Sequence, residues 1–95
     1  MSAKNRVIAG DYKGHSVVSS VLGTEIVTES HIFAHSKTIR LDKTTVKQYE
    51  ILNQANVGFL GRDVIYTVSV EFKDGKKSLL EIDREGYSNF MKYMY

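Results

Sequence analysis

Residues 63–83 of this chain read DVIYTVSVEFKDGKKSLLEID, which is two alternating runs with a turn between them. From 64 to 72 every second residue is apolar, the pattern of a β-strand with one buried face. The second run, 78–83, places Leu80 and Ile82 on a single side and fits the partner strand. Together the two runs predict an antiparallel β-hairpin.

The turn of this hairpin determines which residues face each other across the two strands. A two-residue turn would set Val68 opposite the charged Glu81, so the apolar faces of the strands would not coincide. A three-residue loop, 73–75, sets Val68 opposite Leu80, provided that Gly75 takes a positive φ. We therefore predict the three-residue loop. The predicted hairpin core is lined by Tyr66, Val68, Leu80 and Ile82.

The composition is that of one small globular domain spanning 1–95. Thirteen Lys and Arg against eleven Asp and Glu leave a net charge of +2, which does not favour nucleic acid as a partner. The absence of cysteine excludes a disulfide framework and thiolate chemistry, and it fits a reducing compartment. Neither a secretory signal pattern nor an apolar run of about 20 residues occurs, so we expect a soluble cytoplasmic protein.

Six shorter runs ahead of the hairpin have the composition of strands. In one of them, 16–22, apolar residues fall on both faces, which predicts apolar neighbours on both sides. In the last of them, Tyr49 and Ile51 share one face and Val46 lies on the other, as expected at the margin of a sheet. The six predicted strands are 6–12, 16–22, 25–28, 32–35, 38–41 and 46–52.

Segment 53–62 follows these strands and reads NQANVGFLGR, with two glycines, two asparagines and no sustained period. We predict that it is the longest loop and the most mobile segment of the chain. Its apolar residues, Val57, Phe59 and Leu60, are either tucked under the sheet or exposed.

Beyond the hairpin the apolar period changes from two to 3.6, which predicts one amphipathic C-terminal helix. Asp83 is suited to the N-cap, Glu85 to the first turn and Lys92 to the last turn. We expect the apolar stripe to close the core, although methionines would also suit a partner-binding helix. The stripe consists of Tyr87, Phe90, Met91 and Met94.

These elements predict a mainly β fold, an antiparallel sandwich or partly open barrel of about seven strands capped by the helix. Four stretches of the chain also share a pattern with a known family: VIAGDYKG at 7–14, IVTESHIFA at 26–34, TIRLDKTTV at 38–46 and VSVEFKDGKK at 68–77. In these stretches the chain resembles small bacterial and bacteriophage proteins with a pleckstrin-homology-like (PH-like) fold. The resemblance implies two packed antiparallel sheets and a C-terminal helix, and it does not imply an enzyme. Similar proteins carry a longer Gly/Ala/Leu-rich insert in place of 55–61.

Candidate metal ligands are confined to His31 and His35, four positions apart, with Glu29 nearby. This spacing is common by chance and has no cysteine or HExxH companion, so we interpret both histidines as solvated and predict no metal or cofactor. The sequence also lacks a nucleophile with a base, a rigid carboxylate pair and a phosphate-binding glycine loop. We therefore do not expect an enzyme.

The candidate contact residues are the lysines of the hairpin turn and the apolar and basic residues of segment 53–62. The lysines would suit a phosphate or an acidic partner, and they also solubilise an exposed turn. Arg40 and Lys47 would extend such a basic patch. The predicted anion or partner contacts are Lys73, Lys76, Lys77, Phe59, Leu60 and Arg62.

Two functions stay open at this point. The first is a non-enzymatic module that binds a protein partner, or a second copy of itself, through a sheet edge or through segment 53–62. The second is weak binding of anionic lipid at a membrane surface, or of phosphate, through Lys73, Lys76 and Lys77. Binding that survives high salt favours the first, whereas loss of binding with rising ionic strength favours the second.

Overall fold

A computed structural model of the protein describes residues 5–29 and 37–94. This part of the chain forms seven strands and one α-helix, with a short 3₁₀ turn at Phe59–Gly61 between the fifth and sixth strands. The predicted strand 32–35 and the histidine pair lie outside the described residues. The elements are β1 (Arg6–Gly10), β2 (Ser16–Ser20), β3 (Gly23–Glu29), β4 (Lys37–Arg40), β5 (Val46–Val57), β6 (Asp63–Phe72), β7 (Lys77–Asp83) and α1 (Arg84–Lys92).

The strands make one curled antiparallel sheet, a half-barrel, in the order β4-β3-β2-β1-β7-β6-β5. The mainly β class with one C-terminal helix is confirmed, and the arrangement is compatible with a PH-like fold. Of the two predicted arrangements, the partly open barrel is the one observed. The described strands form one continuous sheet and not the two packed sheets that the resemblance implies, because β1 pairs with β7 and joins β1–β4 to β5–β7. The first and last thirds of the chain therefore meet in the middle of the sheet.

The hairpin of β6 and β7 has the predicted register. Val68 lies opposite Leu80, and Gly75 has a φ of +94° in the three-residue loop. The amide of Phe72 donates to the Lys76 carbonyl at 2.8 Å and closes that loop. Val68, Leu80 and Ile82 are fully buried, whereas Tyr66 is half-buried and stacks on Tyr87 of α1 with 4.0 Å between ring centroids.

The helix α1 packs Tyr87, Phe90 and Met91 against the core, as predicted, whereas Met94 of the predicted stripe lies beyond the end of the helix at Lys92. Asp83 is the N-cap, and its carboxylate accepts a hydrogen bond from the Gly86 amide at 2.7 Å. Phe90 is fully buried and meets the ring of Tyr49 edge-on, with 5.3 Å between centroids. Burying a phenylalanine of this kind stabilises a fold by roughly 2–3 kcal/mol. The helix therefore completes the core that the half-barrel leaves open.

Strand β2 differs from its prediction in both length and burial. It ends at Ser20, and the next two residues form the turn to β3. Val17 is buried, but Val18 is 54% exposed, Val21 74% and Leu22 72%. The expectation of apolar neighbours on both faces is therefore wrong. Valine also favours a strand through its branched Cβ. Two adjacent valines that point to opposite faces therefore do not require both faces to be buried.

Strand β5 runs through the first half of segment 53–62, so the prediction that this whole segment is a loop is wrong. Residues 53–57 continue the strand and pair with β6, ending with Val57 opposite Asp63. The apolar period is hidden because the strand has two bulges, where Lys47 and Leu52 are extra residues relative to β6. The first bulge also turns Val46 onto the core face, opposite Phe72, so the prediction that Val46 lies on the outer face is wrong.

Candidate functional site

Strand β5 forms one margin of the sheet, as its sequence predicts. It has 12 residues and is the longest strand in the described part of the chain. Within residues 5–29 and 37–94, it pairs with β6 and with no other strand. The outward-facing amides and carbonyls of an edge strand are able to pair with a further strand.

The β5–β6 connection exposes two large apolar side chains at the end of this edge. Phe59 is 83% exposed and Leu60 is 73% exposed, and Val57 before them is 37% exposed. Leu60 has a φ of +60°, and the Arg62 amide donates to the Phe59 carbonyl at 3.4 Å. A leucine in the left-handed region destabilises a fold by roughly 1 kcal/mol or more. This strained leucine is one of the two exposed apolar residues. We refer to residues 57–62 as the β5–β6 tip.

A second exposed apolar pair lies at the turn between β2 and β3. The Arg40 guanidinium donates to the Leu22 carbonyl, and the Tyr93 hydroxyl donates to the Val21 carbonyl at 2.6 Å. Arg40 also lies over the Tyr93 ring, 5.1 Å from its centroid. This turn is therefore tied to β4 and to the end of α1 by backbone acceptors, while the side chains of Val21 and Leu22 face solvent.

The three lysines predicted as one anion contact have different surroundings. Lys76 lies 3.9 Å from the Asp74 carboxylate, and its ammonium is 5.5 Å from the centroid of the Tyr12 ring. The Lys77 amide donates to the Asp11 carboxylate at 2.8 Å. Lys77 also lines a groove of about 200 Å³ together with carboxylates of β5 and β6. Lys73 lines a different cleft.

That cleft, of about 590 Å³, lies where the start of β5 meets the end of α1, and we refer to it as the lysine cleft. Backbone contacts fix its walls: the Lys43 amide donates to the Tyr93 carbonyl at 3.3 Å, and the Lys73 amide donates to the Thr45 carbonyl at 3.0 Å. Lys47 on β5 lies 3.9 Å from a carboxylate oxygen of Glu71. The cleft is lined by Lys43, Val46, Lys47, Gln48, Tyr49, Lys73 and Met94.

The turn that leads into β5 is held by Asp42. Its carboxylate accepts a hydrogen bond from the Thr44 amide at 2.8 Å and another from the Arg40 guanidinium at 2.9 Å. The Thr44 hydroxyl also donates to it. The hydrogen bonds from Thr44, followed by that of Arg40 and its charge, lower the pKa of Asp42 despite some desolvation. Asp42 therefore shapes the wall that carries Lys43.

The structure brings together some of the predicted contact residues and separates others. Phe59, Leu60 and Arg62 share the β5–β6 tip, whereas Lys73 lies at the opposite end of β5 and β6. Sequence reasoning missed Lys43 and Met94 as neighbours of Lys73. Val46 pairs with Phe72, and this pairing brings Lys43 towards Lys73. It cannot be recognised in the sequence, because the bulge at Lys47 shifts the strand register next to it.

The described residues contain no group of three His, Cys, Asp or Glu side chains arranged to hold a metal. No helix in the described part of the chain is long and apolar enough to cross a membrane. No protein-family model, curated protein or solved structure matches the chain. The seven antiparallel strands and the terminal helix are compatible with a PH-like fold, and a fold does not by itself specify an activity.

Proposed function

We propose that this protein is a non-enzymatic interaction module that adds an extended segment of a partner protein to the edge of β5. The observation that carries the proposal is the position of an exposed Phe59–Leu60 pair at the end of the longest edge strand. A bacterial or bacteriophage source, supported by the resemblance to PH-like proteins, belongs to the same proposal. So does a cytoplasmic location, which fits a sequence without cysteine.

The second half of β5 is the part of the edge that best accepts a strand. Lys47 and Glu50 place charges on the first half, and two bulges interrupt it at Lys47 and Leu52. Bulges and charges are the devices that discourage edge pairing. Residues 53–57, NQANV, carry no charge and no proline, and they pair with β6 without a register shift. We therefore place the partner strand along 53–57.

The β5–β6 tip supplies the apolar contact that backbone hydrogen bonds alone do not give. Main-chain pairing provides affinity in strand addition, while side-chain pockets provide specificity. Burying Phe59 and Leu60 against a partner is worth roughly 1.5–3 kcal/mol for each side chain. Because hydrogen bonds within the tip hold both residues in one backbone conformation, less conformational entropy is lost on binding.

A displayed library of random 12-residue peptides, panned against the intact protein, tests this proposal. We expect the retained peptides to bind the wild-type protein and to lose about tenfold or more in affinity for the F59S/L60S variant. The matched control is V21S/L22S, which removes an equally exposed apolar pair at the β2–β3 turn and should bind as the wild type does.

Three outcomes would contradict the proposal. The library would yield no peptide specific for the wild-type protein, the control variant would lose as much affinity as F59S/L60S, or binding would disappear as ionic strength rises. The last outcome would instead support an anion-binding function, because electrostatic contacts are screened by salt and apolar contacts are not.

A further inference from the structure

Three lysines line the lysine cleft, and none of its lining residues in the described part of the chain is acidic. Lys43 and Lys73 have no ion pair with any residue in 5–29 or 37–94, and Lys47 has one, at 3.9 Å from Glu71. A pair of this length that involves an exposed lysine offsets little of the charge of Lys47. The side chains come from the 41–45 connection, β5 and the β6–β7 loop, so their meeting depends on the fold and not on a local run of lysines.

Apart from Gln48, the rest of the cleft wall consists of one aromatic and two aliphatic side chains. Val46 is 5% exposed and belongs to the core, and Tyr49 and Met94 are half-buried side chains packed against that core. Methionine adapts its shape to aromatic and aliphatic groups. Lysine ammonium groups bind phosphate as flexible point charges. A volume of about 590 Å³ is also within the range of small-molecule sites.

We propose that the lysine cleft binds a phosphate monoester that carries a small aromatic or aliphatic group. The phosphate meets Lys43, Lys47 and Lys73, and the apolar group lies against Val46 and Met94. A monoester carries a charge of about −1.5 to −2 at neutral pH, which matches a group of lysines better than a single carboxylate does. This site lies at the opposite end of β5 from the tip, so it is independent of the proposed peptide site.

Phenyl phosphate is the probe for the test, and NMR titration of the intact protein is the measurement. We expect its addition to shift the methyl signals of Val46 and Met94, and inorganic phosphate to bind the same place more weakly. The variant K47Q/K73Q should weaken phenyl phosphate binding by about fivefold or more, since each exposed lysine contributes about two- to fivefold. All three lysines of the cleft are exposed, so these variants should fold as the wild type does.

The matched control is R84Q, which removes one exposed basic side chain at the first residue of α1, whereas Met94 of the cleft lies past the other end of that helix. It should change binding by less than about twofold. The proposal is overturned if R84Q weakens binding as much as K47Q/K73Q does. It is equally overturned if the Val46 and Met94 signals do not move, or if phenyl phosphate binds no more tightly than inorganic phosphate.

A vesicle experiment identifies the source of the phosphate. We mix the protein with vesicles of phosphatidic acid, a lipid phosphate monoester, and phosphatidylcholine, and sediment them. Vesicles that retain the wild type, but not K47Q/K73Q, would show that the cleft takes a lipid headgroup. Phenyl phosphate binding with no retention by those vesicles would show that the cleft takes a soluble phosphate monoester. Retention of both proteins to the same extent would place vesicle binding outside the cleft and overturn a lipid ligand for it.

Discussion

Phe90 joins the helix α1 to the half-barrel, and its replacement by alanine should remove a large part of the stability of the protein. The side chain is fully buried and packs edge-on against Tyr49. Truncation of a buried phenylalanine costs about 3–5 kcal/mol, through lost burial and the cavity that remains. A free energy of unfolding of about 5–14 kcal/mol is typical of 95 residues, so F90A should lose about a fifth of it or more.

Urea denaturation followed by circular dichroism measures this loss, and Phe59 provides the matched control. F59A deletes the same atoms from a side chain that is 83% exposed, and it should change the free energy of unfolding by less than about 0.5 kcal/mol. The unfolding midpoint of F90A should fall with little change in the slope m. A loss under about 1 kcal/mol in F90A, or a comparable loss in F59A, would refute the role of α1 as part of the core.

Three further substitutions have outcomes that follow from backbone geometry and charge. L60G relieves the left-handed φ of +60° and should raise the free energy of unfolding by about 1 kcal/mol, measured by urea denaturation; an unchanged or lower value would contradict the strain. G75V should lower it by about 1 kcal/mol or more, because Gly75 has a φ of +94°; a variant as stable as the wild type would argue against the three-residue loop. The pKa of Asp42 is lower in the folded protein than in the unfolded chain, where it is about 3.9. The ionised carboxylate therefore stabilises the protein at pH values above that unfolded-state pKa, and this contribution is lost as pH falls through the lowered folded-state pKa. The difference in melting temperature between wild type and D42N should therefore shrink as the pH falls from 6 to about 2.5, and a constant difference would rule out this linkage.

The hairpin could be predicted from the sequence because its signals are local. The alternation of β6 and β7, together with Gly75, leaves one register in which Val68 meets Leu80, and the structure has that register. The helix is a similar case, since its N-cap Asp83 and its apolar stripe lie within a few turns of each other. In both elements, the residue propensities and the apolar period of the sequence indicate the same structure as the burial observed in the fold, which is why the prediction succeeds.

The length of β5 and the lysine cleft could not be predicted, because both depend on bulges. An extra residue at Lys47 and another at Leu52 shift the strand relative to β6, so the apolar positions of β5 show no single period. The same shift pairs Val46 with Phe72 and thereby brings Lys43 towards Lys73 across 30 positions of sequence. The β5–β6 tip was recognised as a candidate contact by its residue types, while its place at the end of a long edge strand required the structure.

Hydrogen–deuterium exchange of the β5 amides tests most directly whether this edge accepts a strand. Every second amide of an antiparallel edge strand points away from its neighbour, so about half of the β5 amides should exchange quickly in the free protein. A peptide retained from the library, present at about 100 times its Kd, should slow the fast amides of 53–57 by at least tenfold. The slow amides that donate to β6 should change little. Protection confined to α1 or to the β2–β3 turn, with 53–57 unchanged, would contradict strand addition at β5.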